Sequence, residues 1–138
     1  MLAWAMPPTR KFTPTAEWED ERQLRGLEGE RLALAYLTSS GWDVEAHRFK
    51  LGRHDIDLIV RRAGVVAFVE VKTRRGASCG TPLESIPRRK QTIIGKVAAL
   101  WALRFGRRDD VYRFDAIGVH LHPGGRVEIE HVEDAWRL

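Results

Sequence analysis

The chain has 138 residues, 43% of them hydrophobic and 30% charged, which suits one domain with a single core and excludes a disordered or fibrous protein. A net charge of +4 fits a polyanionic partner but is weak as a lone signal, and no apolar run approaches the length of a membrane span. The single cysteine, Cys79, excludes an intramolecular disulfide and any all-cysteine metal site. It sits in "RRGASCGTP" with no local base to activate it and reads as incidental.

Residues 1–16 hold three of the six prolines and little periodicity, and they read as a mobile tail. The opening "MLAWAMPPTRKF" has too short an apolar run and no basic region for a signal peptide. The expected location is the cytoplasm. Residues 17–138 are expected to form the domain.

From about Glu17 to Ser40 the chain reads as helix, with Leu27, Ala33, Leu34 and Leu37 at helical spacing and Ser39-Ser40-Gly41 as the stop. Gly26 and Gly29 lie inside it, and each weakens a helix by about 1 kcal/mol relative to Ala. Glycine there marks a break or lets another backbone come close. Trp42 to Phe49 alternates, with Trp42, Val44 and Ala46 on one side, and predicts a strand.

"HDIDLIVRRAGVVAFVEVKTR" then reads as a hairpin turning at Ala63-Gly64. Alternation puts Ile56, Leu58 and Val60 on one face of its first strand and Asp55, Asp57 and Ile59 on the other. In the second strand Val66, Phe68, Glu70 and Lys72 share a face. A two-residue loop pairs Arg62 with Val65 and, counting back, Asp57 with Glu70; a longer loop shifts this by about one residue.

"RRGASCGTPLESIPRRK" reads as a loop leading into a helix over Thr92 to Phe105, with Gly106 as its C-terminal cap. "YRFDAIGVHL" and "GRVEIEHV" are two more strands around the turn "HPGG". The order helix, three strands, helix, two strands predicts a mixed α/β domain.

Two ionised carboxylates facing each other across a hairpin are destabilising. A shared proton, a basic side chain or a bound cation must compensate. Lys72 is one candidate, and a hard divalent ion with oxygen ligands is the other. Glu30 sits on or beside the inward stripe of the first helix and could point at the same site. Taken singly, each residue has a plainer reading: Glu70 and Lys72 as a surface ion pair, Asp57 as a turn cap, Glu30 as a solvated edge. Taken jointly, "DLIV" and "VAFVEV" are too apolar for an exposed sheet.

Asp57 followed by Glu70-x-Lys72 on the next strand resembles the PD-(D/E)XK nuclease signature. Residues 22–138 more narrowly resemble the YraN family of small bacterial proteins, through "RGLEGERLALAYLTSSGWDV", "DIDLIV", "VAFVEVKTR", "CGTPLESIPRRKQ", "RFDAIGV" and "IEHVEDAW". The resemblance implies a restriction-endonuclease-like fold, similar to archaeal Holliday junction resolvases, with a central mixed sheet flanked by helices. It implies a site in which Asp57, Glu70 and the Val71 carbonyl hold Mg²⁺ or Mn²⁺. Lys72 would orient or activate water, and Glu30 would complete or support the metal shell. Where the family reads Gly-Glu-Ile-Asp this chain has His54-Asp55-Ile56-Asp57, which leaves the role of Asp55 open. Asp115 matches the family's "FD" strand and reads as structural.

Nucleic-acid contacts are expected from Lys72, Thr73, Arg74 and Arg75 leaving the second hairpin strand, and from Arg88, Arg89 and Lys90 entering the second helix. Gly76 and Gly80 would let the intervening loop approach a backbone. Phosphate contacts position a substrate without reading its sequence. The expected activity is metal-dependent hydrolysis of DNA, including branched DNA, with DNA favoured over RNA and a homodimer as the assembly that resolvase-like nucleases often adopt. The alternatives are a nucleic-acid-binding module with little or no catalysis, acting through a partner, and a structural protein whose carboxylates bind no metal.

Overall fold

The computed structural model describes residues 21–76 and 81–138, with side chains from residue 26 onward. The tail assigned to residues 1–16, the helix start near Glu17, and Cys79 and Gly80 lie outside the described residues. The elements run α1 (Glu21–Ser39), β1 (Asp43–Leu51), β2 (His54–Arg62), β3 (Val65–Arg75), α2 (Arg88–Phe105), β4 (Val111–Leu121) and β5 (Val127–Trp136). This is the expected α/β order, helix, three strands, helix, two strands.

The strands form one sheet in the order β1-β2-β3-β4-β5. All neighbours are antiparallel except β3 and β4, which are parallel. A parallel pair needs a long crossover, and the segment carrying α2 supplies it. Helix α1 packs on one face, against β1, β3 and β4; α2 packs on the other, against β1 and β2. With both faces covered, β3 is apolar on both sides, and Val66 to Val71 are all buried. The core divides accordingly. Leu37 of α1 packs with Trp42, Leu58, Val60, Val69 and Ile117 on one face. Ile94, Val97 and Trp101 of α2 pack with Ile59 and Phe68 on the other.

The hairpin turn is at Ala63-Gly64, with φ of 50° and 81°, the pair of left-handed residues that a two-residue turn requires. Leu58 pairs with Val69 and Arg62 with Val65, the predicted register. Gly29 lets α1 approach β3: a Cβ there would lie 1.7 Å from Thr73 Oγ1. Gly26 meets nothing within 4 Å, so only Gly29 serves close approach.

Four expectations are corrected. Trp42, Val44 and Ala46 do not share a face. A bulge at Glu45 pairs Val44 with Val60 but Ala46 with Ile59, so Ala46 packs under α2 while Val44 packs under α1. Ile56 does not lie with Leu58 and Val60 but with Ile59 in the α2 layer, because the alternation of β1 and β2 breaks at Arg48 and Asp57. Arg48 has a φ of 60°, unusual for a strand residue. Third, β3 does not give way to a loop at Arg74. It stays paired with β4 up to Arg75 opposite Leu121, so Arg74 and Arg75 are strand residues. Fourth, α2 starts at Arg88 rather than Thr92. Extended Pro87 precedes it, and its first turn is polar, invisible to an apolar stripe that begins at Ile93. Gly106 ends α2 as expected, donating its N–H to Ala102 O. Among the described residues no helix is long and apolar enough to cross a membrane.

Candidate active site

The candidate site forms where β2 and β3 part. Their ladder ends at Leu58–Val69, one pair before Asp57 and Glu70. Asp57 turns out of the ladder, and its Oδ2 accepts the Val71 N–H at 2.8 Å. Glu70 remains on the α2 face and is only 3% exposed. Its Oε2 lies 2.6 Å from Lys90 Nζ. Among the described residues its buried Oε1 meets no hydrogen-bond partner, which is rare for a charged group in a native interior.

The electrostatics follow from this crowding. Burial, then the charges of Glu70 and Glu30, push the Asp57 carboxyl well above its usual range, against the pull of the Val71 N–H and Lys90. Burial also raises Glu70, with Lys90 and Lys72 pulling it back only in part. Glu30 behaves differently. Burial pushes it up, but hydrogen bonds from His47 and Arg48 outweigh that and hold it below the usual carboxylate range.

Glu30 comes from α1 and is buried. Arg48 grips it in a fork, Nε to Oε1 at 3.1 Å and Nη2 to Oε2 at 2.9 Å, and His47 Nε2 lies 3.2 Å from Oε1. Consecutive strand residues ordinarily point to opposite faces. The left-handed backbone at Arg48 is what lets both neighbours reach one carboxylate. Glu30 therefore borders the site with its oxygens committed to β1.

The other predicted residues distribute as follows. Lys72 is half-buried, makes no ion pair with a described residue, and acts on Glu70 through its charge. Thr73 packs against Gly29. Arg74 donates from Nη2 to Ser85 Oγ, while Arg75, Arg88 and Arg89 are exposed. Lys90, expected on the substrate surface, is drawn inward by Glu70. Asp115 is fully buried between strands: it accepts Arg113 Nε at 3.0 Å and the Asp134 N–H at 3.0 Å, and meets His131 Nε2 at 2.8 Å. Tyr36 Oη lies 2.8 Å from His131 Nδ1, so Asp115 anchors β5 and α1 to β4.

A cleft of about 380 Å³ opens between the start of β2 and the first turns of α2. Arg53, His54, Asp55, Arg89 and Lys90 rim it over an apolar wall of Pro87, Ile93 and Ile94. The charge of Asp55 is felt at Glu70 and Lys90, so cleft and carboxylates are neighbours. Arg53, His47 and Arg48 were not singled out from the sequence. His47 and Arg48 lie in the strand predicted over Trp42 to Phe49 and Arg53 in the turn after it, and only the fold of β1 and β2 gathers them.

Whether a divalent cation suits these residues turns on the donors. Asp57 and Glu70 bring two carboxylates of the hard-oxygen type that Mg²⁺ and Mn²⁺ take. Among the described residues Glu70 Oε1 is unpartnered, and the charges of Lys90 and Lys72 offset that of Glu70 only in part. The donors fit. Among the described residues, no group of three or more His, Cys, Asp or Glu converges as a ready metal cage, in keeping with Glu30 being held by β1.

Comparison with known proteins gives one answer. The family described as "Uncharacterised protein family UPF0102" matches residues 29–119. A UPF0102 protein of Symbiobacterium thermophilum is 38% identical over 80% of this chain and 94% of its own length. One of Nocardia farcinica is 37% identical over 82% of this chain and 89% of its own. One of Pelobacter propionicus is 34% identical over 94% of both.

Proposed function

The chain belongs to the UPF0102 (YraN) family, and from that premise and the site's geometry we propose that it is a metal-dependent nuclease hydrolysing phosphodiester bonds in DNA, branched DNA included. The observation that carries the reading is Glu70: a buried carboxylate with one oxygen unpartnered among the described residues, beside Asp57 and one residue removed from Lys72. Such a group is destabilising unless it serves a ligand. Asp57 and Glu70 would hold Mg²⁺ or Mn²⁺, with the Val71 carbonyl as the further donor that the nuclease resemblance implies. When bound, the ion lowers the pKa of water and polarises the phosphate.

The remaining work falls to the chain's own residues. The Val71 N–H fixes the rotamer of Asp57. Lys72, which makes no ion pair with a described residue, offers its ammonium to the charge that develops on the phosphate. Arg48 and His47 hold Glu30 at the border of the site, keeping a third negative charge beside Asp57. Arg53 and Arg89 on the cleft rim, with the exposed Arg75 and Arg88, supply contacts to the strand's phosphates. Contacts of this type give structure-selective or nonspecific binding.

The second reading, a nucleic-acid-binding module with little or no catalysis, is favoured by the Lys90–Glu70 pair and by the want of a three-donor cage among the described residues. One experiment separates the two. Wild type and Glu70→Ala are incubated with labelled single-stranded, duplex and four-way-junction DNA in Mg²⁺, Mn²⁺ or EDTA. The expected result is metal-dependent cleavage by wild type alone. Equal cleavage by both proteins overturns the nuclease assignment to this site. No cleavage, with binding that weakens steeply between low and moderate salt, selects the binding module.

A further inference from the structure

Lys90 is placed to do more than bind substrate. It stands in the first turn of α2, and its Nζ is 2.6 Å from Glu70 Oε2. The charges of Glu70, Asp57 and Asp55 all act on it. It is thus the cation around which the site's carboxylates are arranged. Its side chain is nevertheless 41% exposed, against 4% for Glu70, and it lines the cleft shared with Arg53 and Arg89. A flexible four-carbon stem gives its compact charge a way out of the site.

A divalent cation has Glu70 Oε1 open to it, and Mg²⁺ binds oxygen at about 2.0–2.1 Å. The Lys90 ammonium, 2.6 Å from Oε2 of the same carboxylate, would then face the ion at close range in a poorly solvated site. Like charges so placed repel strongly. We propose that Lys90 is the resident counter-ion of this site: it neutralises Glu70 while no metal is bound, competes with the divalent cation for that carboxylate, and on metal entry turns into the cleft to meet a substrate phosphate. This rests on the metal-dependent reading given above. It makes metal and nucleic acid cooperative, because loading one ligand frees the cation that receives the other.

The test measures metal binding directly. Free Mn²⁺ is followed by electron paramagnetic resonance during titration of wild type, Lys90→Met and Glu70→Gln at constant ionic strength. Lys90→Met keeps the aliphatic stem and removes the charge. The expected result is Mn²⁺ binding at least tenfold tighter in Lys90→Met than in wild type, and its loss in Glu70→Gln. If wild type binds Mn²⁺ through Glu70 but Lys90→Met binds it equally or more weakly, the counter-ion role is overturned and the metal site stands. If neither wild type nor Lys90→Met binds Mn²⁺, both fall together. Should Lys90→Met not fold, Lys90→Gln, which can still donate a hydrogen bond to Glu70 but carries no charge, gives the same comparison.

Discussion

Asp57 shows how a single carboxylate can be set against the stability of its own fold. Its carboxyl is raised well above the usual range by burial and by Glu70 and Glu30. A raised carboxyl pKa means that ionisation is harder folded than unfolded. The penalty is therefore present at neutral pH and relieved as pH falls through the folded value. Asn at this position still accepts the Val71 N–H and carries no charge. Asp57→Asn is expected to raise the melting temperature in EDTA by about 3 °C, corresponding to ~1 kcal/mol in a domain of this size, while abolishing any cleavage. Scanning calorimetry checks the first effect; an unchanged or lowered melting temperature would show that the carboxylate is not strained. Asp57, Glu70 and Glu30 were legible as candidates because strand alternation and helical spacing place them. The partners that distinguish them, Val71 N–H, Lys90 and the His47–Arg48 fork, were not, since each is brought in from another element.

At the scale of elements, the two glycines of α1 separate propensity from packing. Gly26 has open space around it and Gly29 has Thr73 against it. Gly26→Ala is expected to stabilise by about 1 kcal/mol, the helix-propensity difference. Gly29→Ala is expected to destabilise by about 1–3 kcal/mol, the range for overpacking, because α1 must move off β3. Urea unfolding of the two variants tests this, and destabilisation of both would mean that α1 is more crowded than its contacts indicate. The sequence could name both glycines but not choose between them, because the choice depends on which helix face meets Thr73. The hairpin's turn and its register from Arg62–Val65 to Leu58–Val69 were legible, as they follow from a local two-residue turn, but the break at Asp57 was not. The bulge at Glu45 was not, because an extra residue shifts an alternating pattern without leaving a mark in composition.

Across the whole molecule, one buried guanidinium ties distant segments together. Arg61 on β2 donates to Glu45 on β1 at 3.0 Å and to both oxygens of Asp110, just before β4. The Arg61 hydrogen bonds, with the Arg107 N–H, hold the Asp110 carboxyl down at about 2. A depressed carboxyl contributes stability that is complete above its unfolded value near 3.8 and is lost as pH falls through its folded one. The melting temperature of wild type should therefore drop between about pH 4 and pH 2 more steeply than that of Asp110→Asn. Parallel curves would show that the pair adds nothing to acid stability.

What the sequence determined by itself is whatever its local geometry repeats: the order of helices and strands, the turn at Ala63-Gly64, the apolar faces of β3 and α2, and the family to which the chain belongs. Periods of two and of 3.6 residues are set by the backbone, so they can be read before the chain folds. What only the tertiary structure decided is who meets whom. Lys90 reaches Glu70 because α2 lies across that face of the sheet. Arg48 and His47 both reach Glu30 because one residue adopts a left-handed backbone. These contacts depend on a bulge, a kink and the seating of two helices, which arise when the layers pack and carry no period that a sequence can display.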